Sequence, residues 1–129
     1  MPHTEQERAN LALVEGLYRD VLIAQDPDRV DDYIAEHYLQ HSALAPPGRE
    51  ALKDWLRHIR IESPDAEQTV HRLIADDDFV VAHVHVRRWP GDRGLAVMDM
   101  YRIADGRIAE HWEAIQDVPE HSPNPASMF

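Results

Sequence analysis

Residues 95–116 read Leu-Ala-Val-Met-Asp-Met-Tyr-Arg-Ile-Ala-Asp-Gly-Arg-Ile-Ala-Glu-His-Trp-Glu-Ala-Ile-Gln. Two alternating runs, 95–103 and 107–116, flank Asp105-Gly106, a dipeptide that suits a two-residue hairpin turn. With that turn, Asp99 falls opposite Trp112 and Tyr101 opposite Glu110. Leu95, Val97, Asp99, Tyr101 and Ile103 then share a face with Ile108, Glu110, Trp112, Ala114 and Gln116. That face is apolar with a carboxylate near its middle. A carboxylate buried among such neighbours costs several kcal/mol unless it is paired or neutralised. Such carboxylates serve as general acids and bases, and Asp99 is the first candidate for that role.

Working outward, 70–75 and 79–88 also read as strands. They are separated by the turn-like Asp76-Asp77-Asp78, and 89–94 (Trp-Pro-Gly-Asp-Arg-Gly) joins them to the hairpin. Short separators throughout predict an antiparallel meander. The first half has helical period instead. Thr4 and Glu7 form a capping box, and Leu11, Val14, Leu17, Tyr18, Val21 and Leu22 give one amphipathic helix over 4–25. Asp26-Pro27 starts a short second helix. An extended segment over 36–42, a loop at Ala45-Pro46-Pro47-Gly48 and a third helix over 49–59 follow. Helices first and a meander second predict an α+β domain with the helices on one face of a curved sheet. The tail from Val118 carries three prolines, reads as irregular and ends in the apolar pair Met128-Phe129.

Composition narrows the function classes. A chain of 129 residues, 43% apolar, has one ordinary core and is not disordered. Thirteen basic against 24 acidic residues, net −11, would repel nucleic-acid phosphates and acidic membrane surfaces, so neither is an expected partner. No cysteine is present, which removes disulfides, thiolate metal sites and cysteine nucleophiles. The polar start has no signal-peptide layout and no run is long enough to span a membrane, so a cytoplasmic location is expected. Glycine-rich nucleotide loops and a Gly-x-Ser-x-Gly elbow are also missing.

His83 and His85 share one strand face. The register of the 89–94 loop decides whether a histidine or Val84 lies beside Asp99. As a His-x-His metal pair they lack the upstream glycine and downstream glutamate of the cupin pattern. Arg87 and Arg88 adjoin them, so no metal is expected. His111 and Glu113 are assigned to the other face of the last strand, with Met98 and Met100, at a subunit interface or in solvent. His41 stands near the entry of the sheet, where it could line a pocket.

Three stretches carry a resemblance: Tyr38-Leu39-Gln40-His41, Asp78-Phe79-Val80-Val81-Ala82-His83, and Met98 through Glu113 with its Asp-x-x-Arg, Asp-Gly and Glu-His-Trp elements. Together with Asn124-Pro125-Ala126-Ser127-Met128-Phe129 they resemble the SnoaL-like polyketide cyclases of the NTF2-like superfamily. The resemblance implies an α+β cone with a mainly antiparallel sheet, an apolar pocket, homodimers formed through the outer sheet face, and chemistry without a cofactor. It implies Asp99 as general acid/base of an aldol condensation, with His85 or His83 beside it. Tyr38, His41, Trp55, Tyr101, Trp112 and Gln116 are the expected substrate-contacting residues. The loop at 89–94 is shorter than cyclases often carry, which favours a small carbonyl compound over a multi-ring polyketide. The expected function is aldol cyclisation or isomerisation of a small apolar carbonyl compound. A non-catalytic ligand-binding module and a limonene-type epoxide hydrolase are the alternatives. The latter lacks an evident second aspartate and arginine on the Asp99 face.

Overall fold

The computed structural model of the chain describes residues 2–129. Its first helix, α1 (Glu5–Leu17), begins at the capping box: Glu7 N donates to Thr4 Oγ1 at 3.1 Å, and Thr4 N donates to Glu7 Oε1 at 2.9 Å. Where the periodicity predicts one helix to residue 25, the α-helix ends at Leu17. A π-helical turn, Tyr18–Leu22, continues it, with Ile23 N bonded to Tyr18 O at 2.7 Å. The wider turn keeps Tyr18 and Val21 buried. Asp26 caps a 3₁₀ turn over Pro27–Arg29 that leads into α2 (Val30–Tyr33), and strand β1 (Ile34–Gln40) follows directly. Gly16 lets α1 approach α2, because a Cβ there would lie 2.7 Å from the Tyr33 ring. Helix α3 spans Arg49–Glu62.

The meander is β2 (Glu67–Asp76), β3 (Phe79–Arg87), β4 (Leu95–Ala104) and β5 (Arg107–Asp117), each antiparallel to the next. Strand β1 joins parallel to β5, giving a mixed five-stranded sheet in the order β1-β5-β4-β3-β2. Asp105 and Gly106 both have positive φ, 52° and 72°, as a two-residue turn of this twist requires. The helices pack on one face. Val14, Leu17 and Val21 meet Val80, Ala82, Val84, Ile103 and Ile108 in a common core. The far edge of α1 is pinned to the β2–β3 turn, where Asp77 N donates to Glu7 Oε2 and Asn10 Nδ2 donates to Asp77 O.

Two registers decide which side chains share the concave face. Between β3 and β4, Ala82 stands opposite Asp99 and His83 opposite Met98. Val80, Ala82 and Val84 take the buried positions, so His83 and His85 point to the outer face. Between β4 and β5 the hairpin register expected from Asp105-Gly106 holds only next to the turn. A bulge lies between Arg102 and Ile103, and Ala109 is the extra residue on β5. Beyond it, Tyr101 pairs with His111, Asp99 with Glu113 and Val97 with Ile115. A one-residue slip exchanges the two faces of a strand. His111 and Glu113 therefore join Asp99, whereas Glu110, Trp112 and Gln116 leave its face.

Candidate active site

Concave sheet, α1, α3 and the 42–48 loop enclose a cavity of about 320 Å³, within the size range of small-molecule sites. Its walls are mostly apolar, with Leu17, Ile34, Leu52, Trp55, Val97 and Ile108 among them. At its floor the strands deliver a polar group: Tyr38 and Gln40 from β1, Ser42 just after it, Asp99 and Tyr101 from β4, and His111 and Glu113 from β5. Tyr18 reaches the same group from the π-helical turn, its side chain fully inside the core. Turns of that type recur at functional sites.

The hydrogen bonds form one chain. Tyr18 Oη donates to Asp99 Oδ2 at 2.5 Å and lies 2.8 Å from Tyr101 Oη. Tyr18 has one hydrogen and gives it to the carboxylate, so Tyr101 is the donor to Tyr18. Asp99 Oδ1 lies 2.8 Å from His111 Nε2. On the other side of the ring, His111 Nδ1 lies 2.8 Å from Gln40 Oε1. That oxygen also accepts from Ser42 N at 2.9 Å, while Gln40 Nε2 donates to Tyr38 Oη at 2.5 Å. The backbone donor at Ser42 fixes the amide orientation, so His111 Nδ1 carries a hydrogen. A single proton then sits between Asp99 and His111, on one partner or the other. Ser42 Oγ donates to Glu113 Oε1. Tyr101 stacks on the His111 ring, 4.9 Å between centroids.

The tyrosines are held neutral. Burial pushes the Tyr18 hydroxyl well above its ordinary value, and the neighbouring Tyr101 and Asp99 add to this. Burial and Asp99 act likewise on Tyr101. Tyr38 is pushed up to about 12, by burial first and then by the Glu113 and Asp99 carboxylates. All three remain hydrogen-bond donors at neutral pH. Among the described residues, Asp99, His111 and Glu113 are the group that could take a cation, with ligand atoms within 4.8 Å of one another. In the structure Asp99 Oδ1 and His111 Nε2 are committed to each other.

Of the residues singled out in the sequence, Asp99, Tyr101, Tyr38 and Trp55 line the cavity. The expectation that His83 or His85 meets Asp99 is corrected by the β3–β4 register. Both surround Phe129 on the outer face, where the Phe129 ring lies 4.2 Å from the His85 ring and 5.4 Å from that of His83. Arg72 holds the same tail, donating to Phe129 O and bonding His83 Nδ1. The tail thus packs on the outer sheet face, and none of its residues lines the cavity. His41 and Trp112 are corrected too. They stack on each other, 4.7 Å between centroids, and His41 Nε2 bonds Glu110 Oε2 at 2.7 Å on the convex side. Gln116 lines a separate shallow depression with Ala96 and Met98. Ile115 stands opposite Val97 and lines the cavity.

His111, Glu113, Gln40, Ser42 and Tyr18 were not assigned to the site from the sequence. A signal for His111 did exist. The simple hairpin register leaves Asp99 with no partner for its charge, and a shift of one residue supplies one. Tyr18 lay in the apolar stripe of α1, where a buried tyrosine hydroxyl requires a polar neighbour.

The family model for the SnoaL-like domain matches residues 14–111. No curated protein sequence matches the chain. Among solved structures it is similar to a candidate ketosteroid isomerase from Kribbella flavida (TM-score 0.73, 21% identity, 92% of this chain and 86% of that one). It is also similar to a candidate SnoaL-like polyketide cyclase from Jannaschia sp. CCS1 (TM-score 0.73, 19% identity, 89% and 90%). A third is IdmH, a candidate polyketide cyclase from Streptomyces antibioticus (TM-score 0.67, 23% identity, 82% and 91%). At these identities the likeness is one of fold, and the cavity floor described above belongs to this chain. With the family model spanning both the helical half and the strands that carry the floor, the chain belongs to the SnoaL-like domain family.

Proposed function

We propose that this chain catalyses acid/base chemistry on a small, mostly apolar carbonyl compound: enolisation leading to aldol cyclisation or isomerisation. The observation that carries the reading is the Asp99–His111 pair. It holds one transferable proton at the floor of a mostly apolar cavity, with Tyr18 fixing the second carboxylate oxygen. Low polarity around it strengthens each interaction with charge that develops on a carbonyl oxygen. Delocalisation within the substrate stabilises the enolate, so the step uses a proton relay and a donor at the oxygen. A limonene-type epoxide hydrolysis is less well supported. The arginine lining the cavity, Arg88, is bound to Asp92 at 2.8 Å, and Arg102 is bound to Glu110 on the opposite face.

The test is deuterium uptake at the α-carbons of cyclohexanone and β-tetralone in heavy water, followed by NMR. Wild-type protein accelerates uptake, and Asp99→Asn loses about 10²-fold or more of that acceleration, the usual range for a lost acid/base group. Saturable binding with no uptake would make the protein a binding module. Full uptake by Asp99→Asn would remove the role given to Asp99. Assembly belongs to the same proposal: exposed Met98 and Phe79 on the outer sheet face fit a second copy of the chain, and light scattering that returned a monomer would remove that part.

A further inference from the structure

The cavity floor holds two carboxylates, and they are bonded differently. Asp99 and Glu113 are direct cross-strand partners on β4 and β5. Both oxygens of Asp99 are occupied, Oδ2 by Tyr18 and Oδ1 by His111. Glu113 has only Oε1 engaged, by the Ser42 hydroxyl. Among the described residues its Oε2 has no hydrogen-bond partner. Since no buried side-chain oxygen or nitrogen among the described residues lacks one, that oxygen is accessible, and it belongs to a side chain that lines the cavity. A second group at the floor is unspent in the complementary sense. Tyr38 Oη accepts from Gln40, but its own hydrogen has no acceptor among the described residues.

From this we infer that Glu113 Oε2 takes the α-proton and that the Tyr38 hydroxyl donates to the carbonyl oxygen of the substrate. The inference rests on the enolisation reading above and divides the labour within it. In the forward step the α-C–H bond breaks and its proton goes to Glu113 Oε2. The C–H electron pair becomes the new carbon–carbon π bond, and the carbonyl π pair moves onto oxygen, where Tyr38 O–H meets it. Return of the proton from Glu113 to the same carbon gives exchange, and return to the γ-carbon of an unsaturated ketone gives isomerisation. Attack of the α-carbon on a second carbonyl gives aldol closure, with the new alkoxide taking the proton. No co-reactant is needed.

The remaining chain has a defined part in this scheme. Gln40 holds Tyr38 in place, His111 holds Gln40, and Asp99 with Tyr18 holds His111, so the proton between Asp99 and His111 backs the oxygen end. Ser42 fixes the glutamate rotamer by binding the oxygen that does not react. Separating a free base from a fully bonded carboxyl within one cavity is the arrangement that lets two acids take different roles at one pH.

The experiment uses the full chain and β-tetralone in heavy water. Thermal melts first confirm that Glu113→Gln, an isosteric change that keeps the Ser42 bond, folds as wild type does. Its kcat for α-deuteration is expected to fall about 10²–10⁴-fold, with tetralone affinity changed by less than about threefold. Glu113→Asp keeps a carboxylate and is expected to retain more activity than the glutamine variant. Tyr38→Phe is expected to lose about tenfold or more, on the scale of one hydrogen bond to developing charge. If wild type exchanges but Glu113→Gln does so equally well, the inference fails while the enolisation reading stands. If wild type does not exchange at all, the enolisation reading fails and takes this one with it. Loss of wild-type exchange on adding EDTA, restored by a divalent cation, would overturn the base role by making Glu113 a ligand.

Discussion

Replacing Tyr18 by phenylalanine removes one oxygen atom from the protein interior and leaves its ring in place. In the structure that oxygen makes two bonds, 2.5 Å to Asp99 and 2.8 Å to Tyr101, and all three side chains are buried. A buried hydrogen bond to a charged group contributes about 1.5–3 kcal/mol, and orphaning a buried hydroxyl such as that of Tyr101 costs about 1–3 kcal/mol. Some relaxation is available, so the expected destabilisation is about 2–5 kcal/mol. A domain of this size is stable by about 5–15 kcal/mol, so the variant still folds. The unfolding entropy, about 2.1 cal/mol/K per residue, makes the corresponding drop in Tm about 7–18 °C. Urea denaturation at neutral pH measures the free energy directly, with an unchanged slope confirming that the same unfolding is observed. The double variant Tyr18→Phe/Tyr101→Phe removes the orphaned hydroxyl as well, so it should cost less than the two single changes added together, by about 1 kcal/mol or more. A single variant within about 0.5 kcal/mol of wild type, or strict additivity, would refute the hydrogen-bonded chain at the cavity floor.

Three further outcomes follow from the same structure. All four tyrosines are shifted upward, Tyr38 to about 12 and Tyr33 by its bond to Asp20. Absorbance of tyrosinate at a pH near 10, where a free phenol is about half ionised, should therefore stay low until the protein unfolds. The neutral phenols contribute stability below that pH, and it is lost as pH rises through the folded-state values. At the acid end, Asp92 is held well below the usual carboxylate range, first by the Arg88 guanidinium and then by the Arg88 and Gly94 amides, and Asp20 is lowered to about 2 by Arg19 and Tyr33. A depressed folded-state value contributes stability above the unfolded value of about 3.9, and that stability is lost as pH falls below it. Asp92→Asn should flatten this acid limb in urea midpoints recorded against pH. Gly94→Ala should lower Tm by several degrees, because φ is +85° and a Cβ would lie 2.2 Å from Val86 O. About 1–3 kcal/mol of backbone strain is expected there, and an unchanged Tm would contradict that close approach.

The elements were legible where a local rule governs them. Thr4 and Glu7 mark the start of α1, Asp26-Pro27 marks the short helical turn, and Asp105-Gly106 marks the β4–β5 hairpin. Alternation in β3 already separated Val80, Ala82 and Val84 from His83 and His85, but only pairing with β4 could show which set faces the helices. The site was legible in Asp99, because a carboxylate on an apolar face requires an explanation. Its partners were hidden by a single inserted residue. The bulge at Ala109 has no glycine to announce it, and it exchanges Trp112 and Glu110 for His111 and Glu113 on the concave side. Likewise the π-helical turn follows an unbroken amphipathic pattern, so the placement of Tyr18 against Asp99 emerges only from packing of α1 on the sheet. Non-local pairing therefore decided the chemistry at each point where sequence patterning was silent or misleading.

The proposed chemistry depends most on the one proton held between Asp99 and His111. Long-range ¹H–¹⁵N NMR of the His111 ring, assigned by loss of its signals in His111→Gln, observes that arrangement without any choice of substrate. Nδ1 should carry a hydrogen in the folded protein, because Gln40 Oε1 faces it, and Asp99→Asn should shift the Nε2 resonance. An unprotonated Nδ1 paired with an Nε2–H that does not respond to Asp99→Asn would mean that Gln40 is turned the other way and the proton is not shared. The acid/base account of the cavity would then be wrong.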